Sequence, residues 1–388
     1  MNNNDLINVI MSTDWEFSDS DTQYLTHNIH RYSGKFIPQI AAKVIELLTK
    51  PQDLVLDSYM GSGTTLLESL LSNRNSIGID LNPLAVLISK VKTTPIMESE
   101  ITKIRSVLVP FVRSLLSEGQ INLFDEPLDT TSYKVQFETN KWRLEDAWYQ
   151  KWYQPNVLYQ LVQIFSCIET INSEKAKNIA LVAFSDILRK SSNASSKYPN
   201  VMFDKNVNSK PLPARSFLES LINVVDSVNS MSVLMKDRKV KAEVLLHNNL
   251  NLALENASID AIISHPPYIA AIPYAEYGSL SLNWLGYDSK KLDKELTGGK
   301  RSSSKVVSKF CTDYEQYFKE SYRVLKPEHY MFLMVGNPVS HGKKIELNTL
   351  TIEYGTKAGF KHVATAIRQG QNRRGNNMAE EYLIFFQK

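Results

Sequence analysis

Cysteine is scarce in this chain. Cys167 and Cys311 are the only two in 388 residues, far apart and outside any CxxC. A disulfide scaffold and a cysteine zinc site are excluded, and a reducing cytosol is the expected home. No HxxxH or HxH spacing supports a metal, so no metal site is expected. No apolar run reaches the roughly 18 residues of a membrane span. The first eleven residues carry no positive charge ahead of their apolar ones, so they do not read as a secretory signal. Net charge is nearly absent as well: 44 Lys and Arg stand against 41 Asp and Glu, a formal +3. A balance this close neither requires nor excludes a polyanionic partner. What matters is whether the positive charge is gathered in one place.

What is present is an ordinary globular composition, 43% hydrophobic and 22% charged, with room for one large domain or two modest ones. The first two dozen residues are polar and expected to be loosely held. From Pro38 to Leu48 apolar residues recur at helical spacing. Asp53–Asp57 reads as a short buried strand, Met60–Thr65 as a Gly-rich turn and Thr65–Leu71 as a helix. Ser76–Asp80 and Pro83–Val91 repeat the pattern. Such alternation predicts a parallel sheet covered on both faces. Residues 96–239 break the rhythm with helical patterns. The α/β pattern resumes at Ala242–Leu246 and Ile259–Ser264 and runs to the end. The economical reading is one open α/β sheet interrupted by a helical insertion.

Asp57-Ser-Tyr-Met-Gly61-Ser-Gly63-Thr64-Thr65 lies between a strand and a helix. Paired glycines there let a backbone approach a ligand. No Lys follows the second Gly, so this is not a phosphate loop. Asp57 ends its strand at the mouth of the loop, where a carboxylate repels phosphate and suits a cation. Asp80 ends the next strand, where such folds place an acid on ribose hydroxyls. An adenosine with a positive centre, S-adenosylmethionine, fits both acids; two capping or solvated aspartates are the plainer alternative.

Ile259–Tyr268 is a strand running into a double-proline turn, Ser264-His265-Pro266-Pro267-Tyr268. Proline fixes the backbone and removes donors, so the turn aims its carbonyls. A carbonyl acceptor, a polar side chain and the face of Tyr268 suit a planar base with an exocyclic amine. A plain turn with a packed tyrosine is the alternative.

These residues resemble the amino-methyltransferases of DNA, which methylate adenine N6 or cytosine N4. Leu56–Thr65 is similar to the family's cofactor motif, with Ser58 and Tyr59 in place of Pro and Phe. His30–Pro38 resembles the motif preceding the first helix, which helps hold the methionine end. Ile79–Pro83 resembles the ribose-binding strand end, and Arg323–Pro327 before an apolar strand is also similar. The resemblance covers about residues 27–95 and 240–388, in the order of the family's alpha arrangement. It implies a Rossmann-like, seven-stranded sheet ending in an antiparallel hairpin, with S-adenosylmethionine as cofactor. It implies cofactor contacts from Tyr32, Lys35, Phe36, Asp57, Tyr59, Gly61, Gly63, Thr64 and Asp80, and from Asn249 where an Asp is more usual. The catalytic segment is Ser264 to Tyr268. Its first position is His265 rather than Asp, Asn or Ser. Either the register differs by one residue and Ser264 reaches the amine, or His265 takes that role.

Methylation of cytosine C5 needs a thiolate, usually from a Pro-Cys pair, and neither Cys167 nor Cys311 follows a proline. An exocyclic amine needs no covalent nucleophile, only positioning and acceptors for the charge that develops on nitrogen. The base must leave the duplex, and Tyr268 is the expected stacking partner. Residues 187–241 hold ten Lys and Arg against four acids, and 286–310 hold seven against three. Such runs suit phosphate or a plain solvated face. Arg189, Lys190, Lys197, Arg301, Lys305, Arg373 and Arg374 are the expected nucleic-acid contacts. Trp142, Trp148, Trp152 and Tyr153 read as packing rather than base stacking.

The expected organisation is a flexible 1–24, a discontinuous catalytic domain of 25–95 and 240–388, and a target-recognition insertion of 96–239. The expected function is site-specific methylation of double-stranded DNA in the cytoplasm, with cytosine N4 ahead of adenine N6. A restriction endonuclease as second partner stays open, as do RNA or protein as substrate and a catalytically degenerate DNA-binding protein.

Overall fold

The computed structural model describes residues 3–35, 37–118, 140–198, 200–207, 209–267, 269, 273–298, 306–340, 343–369 and 380–388. The chain divides into a sheet unit, residues 1–27, 32–93 and 237–388, and a helical unit, residues 28–31 and 94–236.

The sheet unit begins with α1 (Asn3–Ser12), then α2 (Pro38–Leu48), β1 (Leu54–Asp57), α3 (Thr64–Leu71), β2 (Asn75–Asp80) and α4 (Pro83–Thr93). Residues 3–12 form a packed helix, against the expectation of a flexible 1–24. Leu6 and Ile10 lie one helical turn apart and are buried with Trp15. Asn3 is tied to the far end of the chain: its amide donates to Gln387 at 2.7 Å, and its Oδ1 accepts from the Tyr330 hydroxyl at 2.6 Å. Three apolar anchors among polar neighbours suffice to dock a short helix that composition alone reads as loose.

The helical unit contains α5 (Glu98–Glu118), α6 (Trp142–Glu145), α7 (Ala147–Trp152), α8 (Pro155–Glu169), α9 (Glu174–Ser191) and α10 (Pro213–Met235). Apolar residues at three- and four-residue spacing meet in its core: Leu108 and Val112 of α5, Leu161 and Ile164 of α8, Phe184 and Ile187 of α9, Phe217 and Val224 of α10. Ser173 and Asp146 cap α9 and α7 by accepting backbone N–H bonds.

The sheet unit resumes with β3 (Ala242–Leu246), β4 (Ile259–Ser264), the short helices α11 (Tyr274–Tyr277), α12 (Ser279–Trp284) and α13 (Ser289–Glu295), then α14 (Val306–Val324) and β5 (Leu325–Gly336). A two-residue ribbon of β6 (Val339–Ser340) and β7 (Lys343–Lys344) precedes α15 (Leu347–Ala358), β8 (Lys361–Gln369) and β9 (Glu380–Gln387). The seven-stranded order is β3-β2-β1-β4-β5-β9-β8. Pairings from β3 through β5 are parallel, and β9 runs antiparallel to both β5 and β8. This is the Rossmann-like, seven-stranded sheet with a closing antiparallel hairpin that the resemblance implies.

Strand periodicity feeds two cores. Leu56, Ile262, Met331, Leu333, Ile384 and Phe386 face α14 and α15, where Phe310, Tyr314, Tyr317 and Phe318 recur on one helix face. Val55, Ala261, Ile263, Phe332, Leu383 and Phe385 face α1 and α2. A strand buried on both sides cannot alternate with polar residues, hence the continuous apolar runs in the sequence. On one flank of β1 lies β2, and on the other lies β4. The C-terminal ends of β1 and β4 thus flank a topological switch point, where open α/β sheets bind ligands.

Candidate functional site

A pocket opens at that switch point. Its walls come from the segments following four parallel strands: Ser58, Tyr59 and Gly61 after β1, Asp80 to Asn82 after β2, His247 and Asn249 after β3, and His265 and Pro267 after β4. Tyr32, Gly34, Tyr274, Leu296 and Thr297 close it. Among these lining residues Asp80 is the single carboxylate and no Lys or Arg occurs. The space among them is about 70 Å³. A nucleoside-sized ligand fills roughly several hundred, so the walls must move apart to admit one.

The glycine loop takes its shape from two positions. Gly61 and Gly63 have φ of 49° and 76°, a region that disfavours other residues. Each is also crowded: a side-chain carbon on Gly61 would lie 3.2 Å from the Tyr32 ring, and one on Gly63 would lie 2.8 Å from the Ser89 hydroxyl. Gly61 therefore lets Tyr32 lie against the loop. Gly34 does the same for Tyr274, whose hydroxyl would stand 2.7 Å from an added carbon. The Tyr32 and Tyr274 rings stack at 6.3 Å and 22°.

The two aspartates differ in direction. Asp80 faces the pocket, accepting from the Gly61 N–H at 3.0 Å and the Asn82 N–H at 2.8 Å. Each carboxylate oxygen has a second lone pair for a ligand hydroxyl. Burial raises its carboxyl to about 6 against these bonds. Asp57 is 2% exposed and does not line the pocket. Its Oδ1 accepts from the Ser264 hydroxyl at 2.6 Å and from the Tyr59 N–H at 3.2 Å. Burial raises it as well, to about 6. Asp57 thus braces the loop from behind and does not line the pocket.

The same bond distinguishes Ser264, the last residue of β4, from His265 just after it. Ser264 is fully buried, donates to Asp57 and accepts from the Tyr59 N–H at 3.1 Å. Its hydroxyl is engaged by Asp57 and Tyr59, and Ser264 does not line the pocket. His265 lines the pocket and hydrogen-bonds the Gly34 backbone. Burial lowers its imidazole to about 4, so the ring is neutral near pH 7 and retains acceptor capacity. Pro266 is buried, and Pro267 lines the pocket. Tyr268 and Phe36 lie outside the described residues.

Of the other expected contacts, Tyr32, Tyr59, Gly61 and Asn249 line the pocket. The Asn249 amide donates to the Ser58 carbonyl at 2.9 Å. Lys35, Gly63 and Thr64 do not line it. The Lys35 ammonium donates to the His27 carbonyl at 2.9 Å, Gly63 starts α3, and Thr64 is buried in its first turn. Asn82, His247, Tyr274, Leu296 and Thr297 line the pocket without having been singled out by the sequence. Asn82 sits within a recognised motif and its amide reaches the Tyr32 hydroxyl at 3.3 Å. For Tyr274 the only signal is Gly34, far off in the chain.

The expected nucleic-acid contacts separate in the same manner. Arg189 is turned inward: its Nη2 donates to the carbonyls of Ser195, Tyr198 and Asn200 at 3.4, 2.5 and 3.0 Å. Lys190 is exposed and lies 3.6 Å from Asp186, and Lys197 is exposed. Arg301, Lys305, Arg373 and Arg374 lie outside the described residues. Trp152 and Tyr153 are core residues as expected, whereas Trp142 is half exposed with the Arg143 guanidinium over its ring at 4.6 Å. Among the described residues no group of acids, histidines and cysteines could hold a metal, and no helix is long and apolar enough to cross a membrane.

Residues 8–91 match the sequence model of a family described as DNA methylase. The chain is 27% identical to Type II methyltransferase M.MvaI of Kocuria varians, over 92% of this chain and 87% of that protein. It is 24% identical to Type II methyltransferase M.MjaII of Methanocaldococcus jannaschii, over 86% and 77%. Among solved structures, a SAM-dependent methyltransferase from Methanosarcina mazei aligns over 89% of this chain and 96% of that one, at 12% identity and a TM-score of 0.35.

Proposed function

We propose, for this member of the DNA amino-methyltransferase family, that it methylates an exocyclic amine of a base flipped out of double-stranded DNA, within a defined sequence, using S-adenosylmethionine. The observation that carries this reading is the charge of the pocket. One carboxylate and no cation line it, which suits a nucleoside with a positive centre and opposes a phosphate. A glycine loop for close approach, an acid for hydroxyls and two aromatic faces for a cation complete the fit.

Tyr32, Tyr59, Gly61, Asp80 and Asn249 are the residues to hold the cofactor, which supplies an electrophilic methyl group when bound. Asp57, Gly63 and Lys35 act on the loop and the turn behind it. His265 takes the first catalytic position. An amine that gains a methyl group must lose one proton, and a neutral imidazole is in the state that accepts an N–H and then the proton. The Pro266 carbonyl is the second acceptor, and Tyr268 the stacking face. Cytosine N4 stays ahead of adenine N6 on the resemblance of Ser264-His265-Pro266-Pro267 to serine-led motifs, with the Ser264 hydroxyl itself withdrawn to Asp57. Residues 96–239 serve as the target-recognition region, and a restriction endonuclease as companion activity stays open.

The test is transfer of labelled methyl from S-adenosylmethionine to plasmid DNA, with RNA and bulk protein offered in competition. Label in DNA alone is expected. Label in RNA or protein, or in none of the three, overturns the reading.

A further inference from the structure

The helical unit carries a loop held by its own hydrogen bonds. Residues 193–198 and 200–204 fold back on one another. Ala194 and Phe203 form an antiparallel bridge, the Ser195 N–H donates to the Met202 carbonyl at 2.8 Å, and the Asp204 N–H donates to the Asn193 carbonyl at 2.9 Å. The base of the loop is pinned to the end of α7. The Asn193 N–H donates to the Trp152 carbonyl at 2.7 Å and its side chain to the Lys151 carbonyl at 3.1 Å. Across the middle, the Arg189 guanidinium takes three backbone carbonyls. A charged donor on three carbonyls helps fix the shape of the loop.

The fixed shape exposes what folding normally hides. Tyr198, Met202 and Phe203 are 53, 48 and 44% exposed. Three large, largely apolar side chains are thus exposed on one short loop. Lys197 and Lys205 flank them, both exposed. Over 189–210 the sequence holds Arg189, Lys190, Lys197, Lys205 and Lys210 against the single acid Asp204.

We propose that this loop is a DNA-contacting finger, in which Lys197 and Lys205 engage backbone phosphates while Tyr198 and Met202 press on base faces. This rests on the DNA reading above and assigns it a surface. The charge commits the occupant. A protein partner with an apolar complement leaves two lysines without counter-charge, whereas a duplex supplies phosphates on both sides of an opened or unstacked step. Apolar side chains inserted at such steps hold a distorted duplex, and aromatic faces stack on bases regardless of sequence. Arg189 positions the finger and touches no DNA.

The test uses the full-length chain and a labelled 40-base-pair duplex of mixed sequence, with anisotropy read from 50 to 200 mM salt. For Lys197→Gln with Lys205→Gln, the slope of log affinity against log salt is expected to fall by about 2, near one for each phosphate no longer neutralised. Tyr198→Ala with Met202→Ala removes exposed apolar groups, so the thermal midpoint is expected to hold. Its affinity for the duplex is expected to fall at least fivefold with the salt slope unchanged, and plasmid methylation to fall with it. Affinity and slope within twofold of wild type in both variants overturn the finger. A wild-type self-association that Tyr198→Ala with Met202→Ala abolishes, with DNA affinity untouched, overturns it in favour of a protein interface. Methylation of plasmid by wild type that persists in both variants leaves the DNA reading standing without the finger. Failure of wild type to bind or methylate DNA removes both.

Discussion

The sheet unit sets its reactive side chains where parallel strands stop, and the helical unit sets its exposed ones on a loop that side chains must hold in place. In the first, topology does the positioning. β1, β2, β3 and β4 end together, so Tyr59, Asp80, Asn249 and His265 converge from four separate stretches of chain. In the second, a single antiparallel bridge between Ala194 and Phe203 closes the loop, and the Arg189 side chain adds a restraint through three backbone carbonyls. The contrast teaches that charge near a functional surface divides into two kinds, groups that meet a partner and groups that shape what meets it. On the proposals above, Asp80 and Lys197 fall in the first kind, whereas Asp57 and Arg189 bond within the protein.

The comparison breaks most visibly at His265. Its replacement by Ala is expected to lower kcat about a hundredfold or more, the range of a lost acid–base group. Cofactor affinity by calorimetry is expected to stay within threefold. Activity near wild type would place the chemistry elsewhere. The two aspartates separate next. Asp80→Asn is expected to weaken cofactor binding about thirtyfold, ~2 kcal/mol for a charge-assisted contact. The sign of its pH dependence follows from burial. Above about pH 6 Asp80 is ionised and attracts a positive ligand, and as pH falls through that value it takes up a proton and the attraction is lost. Wild-type affinity is therefore expected to decline from pH 7 to 5, and the decline to flatten in Asp80→Asn. An equal decline in both would assign it to another group.

In the helical unit, Arg189→Ala is expected to cost about 2 kcal/mol, because three carbonyls lose a charged donor. Lys190→Ala, one position away and paired only at the surface, is expected to change stability by less than ~0.5 kcal/mol. Urea unfolding followed by tryptophan fluorescence reads both, since Trp152 packs on Phe203 at 6.0 Å. Equal losses would erase the division drawn above. The smallest functional effect is expected at Ser264→Ala. It leaves Asp57 short of one donor, worth about 1–2 kcal/mol of stability, with kcat within about threefold of wild type. A loss to match that of His265→Ala would return the catalytic role to Ser264.

Much of the sheet unit is legible in the sequence. Apolar runs bounded by turns locate β1, β2 and β4, and the glycine spacing marks the loop, because a strand buried on both faces has little choice of residue. Which way a side chain turns is less legible. Ser264 and His265 are neighbours in the chain, and only the Asp57 carboxylate, 207 positions away from Ser264, sorts one inward and the other to the pocket. Tyr274 is hidden for the same reason: its partner is Gly34, and nothing local in Tyr274–Tyr277 signals a pocket wall. In the helical unit the sequence announces basic charge without direction. Arg189 and Lys197 count alike there, yet one binds its own backbone and the other faces solvent. The leading helix α1 escapes a reading by composition because Leu6, Ile10 and Trp15 carry its docking among polar neighbours.

The most direct measurement is nucleoside mass spectrometry of plasmid DNA after incubation with the protein and isotope-labelled S-adenosylmethionine. The label is expected in N4-methylcytosine, or in N6-methyladenine, and to vanish with His265→Ala. Label in 5-methylcytosine, or in no nucleoside at all, would contradict a pocket that offers acceptors for an exocyclic amine and no thiolate.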